Sequence, residues 1–455
     1  MFCLSKIEVM DKTVEKVIIP LKQHEGAICT PLVAKGDKVL VGQKIGDCNE
    51  SPFCASVHSS VAGEVISIEE VPHPNGKRVE SIIVQPDEEQ RSVDFVKQDD
   101  LNPSELIEAI KNAGIVENYG VPTHMVLAPL NKNIDTVIIN ATSSEWIQGD
   151  YSDPGDYASS IISSLKILMK AANVSKGAIV LRNDDAESIN AFERTTYNGE
   201  HVHVAPLVGN RKIDYYFDDM NTDIVVVSQK PMYGKSLFNL FTERVTGRKV
   251  SKTCDPSDVG VAICGLKSAK AVHDAINDGK PFYETVIKVS GAVNTPQRIL
   301  VKIGTPIKDV IEACEGYVGE PGKLIVNGPL TGTAQFTDEV PVTKDMISIY
   351  VQNEEDMETL EAIECIHCGR CVDNCPVDLV PARIATLVDR GRYDECMELF
   401  VMNCIECGKC SAVCPSKRHI LQLIKYAKVS LSRVYPDAVK ESDSMHSSCM
   451  MNGGQ

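Results

Sequence analysis

The sequence lacks any long uninterrupted run of apolar residues. No stretch approaches the roughly 18 residues that a membrane-spanning helix needs, so no segment is predicted to cross a bilayer by itself. The first residues are also too polar for the hydrophobic centre of a secretory signal. We therefore expect a cytoplasmic protein, for which peripheral association with the inner face of the cell membrane stays open.

Basic residues are scarce relative to acidic ones. The 455-residue chain has 46 Lys and Arg against 63 Asp and Glu, a net charge of −17. Nucleic acids and anionic membrane surfaces attract proteins through basic patches, so neither is expected as the main partner. A hydrophobic content of 43% with 24% charged residues is typical of a globular protein, and the length predicts two to four domains.

Cysteine, in contrast, is abundant. Eight of the 17 cysteines fall in two short runs near the C-terminus, each with the spacing C-x₂-C-x₂-C-x₃-C-P. Bacterial ferredoxins use this spacing to bind two [4Fe–4S] clusters, with the fourth cysteine of each run binding the other cluster. The pattern predicts one cluster at Cys365, Cys368, Cys371 and Cys414, and a second at Cys404, Cys407, Cys410 and Cys375.

Other interpretations of the two cysteine runs fit less well. Zinc knuckles use C-x₂-C pairs with longer spacers, often with histidine ligands. A disulfide framework needs an oxidising compartment, to which nothing in the sequence directs the chain. We therefore predict electron transfer. Arg370 and Lys409 hold equivalent places in the two runs, where they either raise the reduction potential of a cluster or face solvent.

The nine remaining cysteines show no metal-binding spacing, and we interpret them as buried or free thiols. Cys48 and Cys54 lie six positions apart, so a thiol redox pair stays open beside the favoured interpretation of unrelated thiols. The nine are Cys3, Cys29, Cys48, Cys54, Cys254, Cys264, Cys314, Cys396 and Cys449.

The pattern of apolar residues and turns predicts a multidomain α/β and β protein. Residues 1–95 read as short strands with glycine corners, and residues 100–280 alternate strands and helices as in a Rossmann-like domain. Residues 284–350 read as a small α+β unit, residues 355–435 as a helical two-cluster ferredoxin domain, and residues 436–455 as a disordered tail.

The first domain resembles the barrel-sandwich fold of lipoyl and biotinyl carriers. Lys38 or Lys44 could in principle carry such a group, but neither stands at a hairpin tip beside methionine or alanine as in those carriers. A docking module without a cofactor is the favoured interpretation.

The order of motifs over residues 15 to 435 resembles the RnfC-type subunits of Rnf electron-transport complexes. The resemblance implies a barrel-sandwich domain, a Rossmann-like domain that binds FMN and NADH, a β-grasp domain of the SLBB type and a two-cluster ferredoxin domain. In active members NADH reduces the flavin, and the clusters pass electrons towards membrane partners. The motifs are those that begin at His24, Gly36, Val57, Pro122, Asp258 and Val289, together with both cysteine runs.

The sequence departs from this family where the flavin and the nicotinamide should bind. The glycine-rich family loop appears as residues 116–123, where only Gly120 remains and Glu117 introduces a charge that would repel a phosphate. An acidic family segment retains only Glu145, and an expected asparagine pair appears as Cys264-Gly265. These departures predict loss or marked change of FMN and NADH binding. The alternative is that another loop, near residues 233–236, rebuilds a nucleotide site.

Three functions follow from the sequence, and they leave open whether the chain is itself an enzyme. The first is an RnfC-like electron-transfer subunit without its own working FMN and NADH site, in an Rnf complex or a soluble reductase such as the proline reductase system. The second is an NADH-oxidising flavoprotein subunit with a rebuilt site. The third is a scaffold that docks partners, with structural clusters. The expected partners are redox proteins, either membrane-bound or part of a soluble reductase.

Overall fold

The computed structural model describes residues 7–10, 14–48, 53–118, 120–142, 154–209, 211–230, 238–250, 254–329, 331–355, 357 and 362–434. These residues fall into two compact units. The first unit comprises residues 1–231 and 260–357, and the second comprises residues 232–259 and 358–455. The tail predicted at residues 436–455 lies outside the described residues.

Short strands at the start of the first unit form two small antiparallel sheets, with the orders β2-β8-β7-β4 and β3-β5-β6. Side chains that include Ile19, Ile45 and Ile82 fill the core between the sheets and are fully buried. Gly36 and Gly42 take left-handed conformations at the turns, which residues without a Cβ adopt readily. The strands are β1 (Glu8–Val9), β2 (Val17–Pro20), β3 (Thr30–Pro31), β4 (Lys38–Val39), β5 (Lys44–Asp47), β6 (Val57–His58), β7 (Gly63–Pro72) and β8 (Arg78–Pro86).

An α/β fold follows, as the alternating pattern predicts. Its first helix begins with a capping box, in which the Asn102 side chain accepts from the Glu105 N–H and the Glu105 carboxylate accepts from the Asn102 N–H. The elements are α1 (Pro103–Asn112), α2 (Thr123–Leu127), β9 (Thr136–Asn140), α3 (Pro154–Ala172), β10 (Lys176–Arg182), α4 (Ala186–Arg194), β11 (Thr196–Tyr197), β12 (Glu200–His201), β13 (Val204–Pro206), α5 (Ile213–Met220), β14 (Ile224–Gln229), α6 (Phe238–Thr246, in the second unit), β15 (Val261–Gly265) and α7 (Leu266–Asn277).

The five-stranded sheet of this region is parallel and has the order β13-β14-β10-β9-β15. Strand β9 lies between β10, which follows it in the chain, and β15, which ends the strand series. The strand order therefore reverses between β9 and β15, and open parallel sheets bind ligands at the carboxyl ends of the strands at such a point. Asn140 and Gly265 pair with each other at these two ends, which we call the sheet crevice.

A third sheet completes the first unit, in the order β1-β17-β16-β20-β18-β19. Strand β1 from the start of the chain pairs in parallel with β17 at its edge. Helix α8 covers the sheet, and its Ile307, Val310 and Ile311 are fully buried. The elements are β16 (Glu284–Gly291), β17 (Gln297–Lys302), α8 (Ile307–Ala313), β18 (Pro321–Val326), β19 (Thr333–Gln335) and β20 (Ser348–Asn353).

The buried Lys344 joins the three parts of the first unit. Its Nζ donates to the carbonyl oxygens of Ser56 and Gly114, both at 2.7 Å. Ser56 belongs to the first small domain, Gly114 follows α1, and Lys344 itself precedes β20. Burial lowers the pKa of Lys344 to about 7, so the contact that holds these parts together is also sensitive to pH.

The second unit is helical. Helices α10 and α13 pack through Ile384, Ile424, Ala427 and other side chains of one apolar cluster. Pro381 occupies the first position of α10, as proline commonly does in helices, and Val380 is the residue before it. Besides α6, the helices are α9 (Arg370–Asp373), α10 (Pro381–Asp389), α11 (Tyr393–Glu398), α12 (Lys409–Ala412) and α13 (Ile420–Val434).

Candidate iron–sulfur and nucleotide sites

The two cysteine runs fold into the same backbone shape. His367 and Gly369 in the first run are left-handed, and so are Glu406 and Gly408 at the equivalent positions of the second. Each glycine is followed at once by a short helix, α9 or α12, that carries the third cysteine of its run. The left-handed positions reverse the chain between cysteines, so that side chains from one short loop turn towards a common centre.

The structure brings cysteines of both runs to one cavity of about 320 Å³. Cys365, Cys368 and Cys371 of the first run line it together with Cys414, the last cysteine of the second. This is the exchange of the fourth cysteine that the ferredoxin spacing predicts. Four thiols around one cavity are the donor set that a [4Fe–4S] cluster requires, so these residues fit the cluster.

The cavity that holds the first four cysteines also has a basic lining. Arg370 and Arg383 lie on it and are exposed, and Arg418 forms an ion pair with Asp389. The described lining includes no carboxylate. A cubane bound by four thiolates is anionic, and positive charges near it favour its more reduced state.

The thiols of the second run also lie near one another. Burial raises the pKa of Cys410 to about 12, and the charges of Cys404 and Cys407 act in the same direction. Backbone amides donate to two thiols of the predicted second set, Glu406 N to Cys404 Sγ at 3.4 Å and Leu379 N to Cys375 Sγ at 3.3 Å. Cys375 packs against the same apolar cluster as Cys404 and Cys410.

At the sheet crevice, the carboxylate of Glu117 is buried and fully bonded. Its Oε2 accepts hydrogen bonds from the backbone N–H of Gly265 at 2.8 Å and from Ser268 Oγ at 2.6 Å. Its Oε1 accepts from Thr123 Oγ1 at 3.0 Å. Burial raises the pKa of Glu117, and these three donors act in the opposite direction.

Gly265 is the residue just before helix α7 and, lacking a side chain, cannot cap the helix itself. The first N–H groups of a helix and its dipole together attract anions, including phosphates. The Glu117 carboxylate occupies this position from within the chain. The sequence predicted that Glu117 would repel a phosphate; the structure adds that its carboxylate accepts hydrogen bonds from the Gly265 N–H and the Ser268 hydroxyl at the start of α7.

The remaining residues predicted for the nucleotide site are only partly described. Gly120 is left-handed, and its carbonyl accepts from the Glu25 backbone N–H at 2.8 Å, so the shortened loop packs against the first domain. Glu145 and the loop near residues 233–236 lie outside the described residues.

One cluster of side chains was not predicted from the sequence. Cys48 and Cys54, interpreted as unrelated thiols, are joined by a disulfide, and Cys29 and His24 lie against them. The signal lies in strand pairing, because Thr30 of β3 pairs with Asp47 of β5 and so brings the adjacent Cys29 and Cys48 together. Spacing along the chain does not show this register.

Among the residues that the structure describes, no helix combines the length and the apolar character needed to cross a bilayer.

Comparisons with known proteins agree with the domains seen here. The chain matches the RnfC barrel sandwich hybrid domain over residues 5–89, the Nuo51 FMN-binding domain over residues 110–274 and the 4Fe-4S dicluster domain over residues 364–418. Together with the two cysteine runs, these domains define an iron–sulfur protein of electron transport.

Sequence similarity to individual proteins assigns the chain to one family within this class. A subunit of the ion-translocating oxidoreductase complex of Methanosarcina acetivorans is 49% identical over 97% of both chains. The corresponding subunit of the Na⁺-translocating ferredoxin:NAD⁺ oxidoreductase complex of Acetobacterium woodii is 34% identical over 92% of this chain and 91% of that one. The chain belongs to the RnfC family, which confirms the resemblance drawn from its motifs.

Among solved structures, an NAD⁺-reducing [NiFe]-hydrogenase in the H₂-reduced state is similar to this chain. The alignment covers 73% of this chain and 61% of the hydrogenase chain, with 13% identity and a TM-score of 0.43. Similarity at this level supports no conclusion about this protein.

Proposed function

We propose that this protein carries electrons through two [4Fe–4S] clusters as the RnfC-type component of an ion-translocating membrane complex. Cys365, Cys368, Cys371 and Cys414 would hold one cluster, and Cys404, Cys407, Cys410 and Cys375 the other. When bound, such clusters accept and release single electrons. The observation that carries the proposal is the cavity lined by three cysteines of one run and the last cysteine of the other.

The chain's own residues set the conditions at the first cluster site. Of the cysteines that line this cavity, Cys368 is exposed and Cys371 is buried. Arg370 and Arg383 add positive charge at the rim. A partner can therefore approach the site from the exposed side, while the apolar cluster behind Cys371 excludes water.

The proposal includes the loss of FMN and NADH binding at the sheet crevice. Its support is the Glu117 carboxylate, which accepts the Gly265 N–H and the Ser268 hydroxyl at the start of helix α7. An anionic phosphate placed there would meet a like charge and would find these donors already engaged. The electrons of the clusters would then come from a protein partner rather than from a bound flavin.

A second candidate function is that of an NADH-oxidising flavoprotein within the same kind of complex. It is favoured by the match to the Nuo51 FMN-binding domain over residues 110–274. The relative from Acetobacterium woodii is named as part of a ferredoxin:NAD⁺ oxidoreductase complex, which agrees with this candidate. It requires a flavin site built from residues other than the donors that Glu117 occupies.

The proposal also includes the fold of the third sheet, the partners and the domain limits. The third sheet, with its β16–β17 hairpin, helix α8 and parallel β16–β20 pairing, supports a β-grasp domain of the SLBB type. Membrane-bound redox proteins are the expected partners, with the chain held peripherally on the inner face of the membrane. We propose domain limits of 1–95, 100–280, 284–350 and 355–435.

Anaerobic purification followed by iron and flavin analysis tests the proposal. We expect about eight irons per chain, no stoichiometric flavin, and no bleaching of the cluster absorbance by NADH, whereas a strong one-electron reductant should bleach it. Stoichiometric FMN with rapid bleaching by NADH would establish the second candidate instead. An iron content near zero after reconstitution would refute electron transfer through the clusters.

The variant Glu117→Gly asks whether the carboxylate is what excludes the flavin phosphate. If it is, the variant should bind FMN more tightly than the native chain, as measured by quenching of flavin fluorescence. Glu187→Gly, an exposed glutamate in the first turn of α4, is the matched control and should leave flavin binding unchanged. Equal flavin affinity of all three proteins would show that the site is lost for another reason.

A further inference from the structure

The first small domain contains a buried cluster of three cysteine sulfurs and one imidazole. His24, Cys29, Cys48 and Cys54 are each at most 7% exposed, and one ligand atom from each lies within 4.8 Å of every other. Cys29 Sγ is 3.3 Å from Cys48 Sγ, and His24 Nε2 is 3.9 Å from both sulfurs. Neither the cluster motifs nor the sheet crevice uses these residues.

The fold holds the four residues together from separate strands and loops. Cys29 precedes β3 and Cys48 follows β5, at neighbouring positions of an antiparallel pair. His24 belongs to the loop before β3, and Cys54 to the segment before β6. The backbone N–H of Ala55, next to Cys54, points at His24 Nε2 at 3.2 Å. The arrangement is therefore fixed by sheet pairing and does not depend on the disulfide alone.

Apart from the bonded pair Cys48 and Cys54, which must separate on reduction, the measured separations are near those of tetrahedral zinc ligands. With Zn–S near 2.3 Å and Zn–N near 2.0 Å, a regular site places its sulfurs about 3.8 Å apart and its sulfur and nitrogen about 3.5 Å apart. The separations of 3.3 Å and 3.9 Å found here lie close to these values. Three cysteines with one histidine are a common donor set of closed, structural zinc sites.

The charges around the cluster suit such an ion. Zn²⁺ with three thiolates and a neutral imidazole carries one net negative charge. Burial raises the pKa of Cys29 to about 11; Lys344 and Lys44 act in the opposite direction, and Asp47 acts with burial. A bound cation favours the thiolate much more strongly than these neighbours, because it coordinates the sulfur directly.

We propose that, when the Cys48–Cys54 bond is reduced, His24 Nε2 and the sulfurs of Cys29, Cys48 and Cys54 bind one Zn²⁺ ion. Reduction by a dithiol takes two electrons and two protons and yields two thiols. Binding of the ion by three thiols then releases three protons. When the ion binds, His24 Nε2 coordinates it and no longer accepts from the Ala55 amide. Nδ1 then carries the proton of the neutral imidazole, so the Gly26 amide, 3.0 Å away, can no longer donate to it and must move.

The site would stabilise the first domain in a reducing compartment. It links the loop before β3, the end of β5 and the segment before β6, which otherwise depend on two strand pairs of two residues each. A metal that joins such short strands adds folding free energy to that of the core.

The test uses the full-length protein with its clusters, purified anaerobically, treated with a dithiol, given one equivalent of Zn²⁺ and desalted. Elemental analysis then gives zinc and iron per chain. The native chain should retain about one zinc per chain, and Cys29→Ser should retain no more than about one tenth of that amount. The iron content of the two proteins should be the same. Cys314→Ser, which alters a buried thiol at the C-terminal end of helix α8, is the matched control and should keep the zinc.

X-ray absorption at the zinc edge of the native chain gives a second readout that needs no variant. Three sulfurs and one nitrogen around the ion support the site, even if Cys29→Ser fails to fold and loses its iron. A shell of four sulfurs would place the zinc at the cluster cysteines and overturn the proposal. So would a native chain without zinc, or a well-folded Cys29→Ser chain that keeps as much zinc as the native one.

Discussion

The Oε2 atom of Glu117 lies 2.8 Å from the backbone nitrogen of Gly265, although 148 positions separate the two residues in the chain. The contact closes the end of the crevice between β9 and β15. It ties the shortened loop to the start of helix α7, which follows β15.

Glu117→Gln tests the contribution of this contact to stability. The amide has one acceptor oxygen in place of two, so at least one of the donors from Thr123, Gly265 and Ser268 loses its partner in a buried site. We expect the free energy of unfolding to fall by about 1–3 kcal/mol. Chemical denaturation followed by circular dichroism measures this change. Glu187→Gln should change stability little, and an equal effect of both variants would contradict the assigned role.

The lowered pKa of Lys344 predicts that the free energy of unfolding rises with pH. Burial lowers the pKa of Lys344 to about 7, whereas an unfolded lysine titrates near 10.4. Between about pH 7 and pH 10 the unfolded chain therefore binds more protons than the folded chain, and the free energy of unfolding increases with pH. Burial likewise lowers the pKa of Lys267 to about 8, which acts in the same direction.

Lys344→Met removes the titrating group and should flatten this rise, leaving the smaller part due to Lys267. Denaturation midpoints of the native and variant chains at pH 7 and pH 9.5 give the measurement. Lys35→Met, at an exposed position, should retain the full slope. An unchanged slope in Lys344→Met would show that the buried ammonium does not lose its proton in this range.

Cys414→Ala should remove the first cluster, because Cys414 supplies the fourth thiol of its cavity. We expect the iron content of the anaerobic protein to fall from about eight to about four atoms per chain. Cys396→Ala is a stringent control, since Cys396 is fully buried in the same apolar cluster but lies outside both motifs. Iron loss of the same size in Cys396→Ala would mean that packing, and not ligation, explains the result.

Arg370→Gln should lower the reduction potential of the first cluster. Arg370 lies on the rim of that cavity, and removal of its positive charge destabilises the reduced state. A fall on the order of tens of millivolts is expected from a charge a few ångströms away near a surface. Redox titration monitored by electron paramagnetic resonance measures it. Arg433→Gln, at the exposed end of α13, should leave the potential unchanged.

The sequence predicted what depends on neighbours in the chain. The spacing of the cysteine runs predicts a crossed set of four thiols because three ligands of each site come from one loop. The capping box at Asn102 and the apolar faces of α3 and α13 are equally local, because they depend on residues three or four positions apart.

The contacts that the sequence could not predict join residues that lie far apart in the chain. Glu117 was recognised as unfavourable for a phosphate, but its bonds to Gly265 and Ser268 form only when the sheet places the start of α7 beside the loop. Cys29 and Cys48 meet through the register of β3 and β5. Only two residues of each strand are paired, too few for a pattern of alternating side chains to reveal that register.

The crossed arrangement of the cysteine runs also constrains how the protein is made. A chain emerging from the ribosome presents Cys365, Cys368 and Cys371 well before Cys414, which completes their cavity. Three thiols would therefore wait, open to oxidation or to a wrong metal, while 43 more residues are synthesised. If Cys414 completes the first cluster site as we propose, iron insertion there follows synthesis of the chain as far as Cys414, and a chain truncated just before Cys414 should lack that cluster.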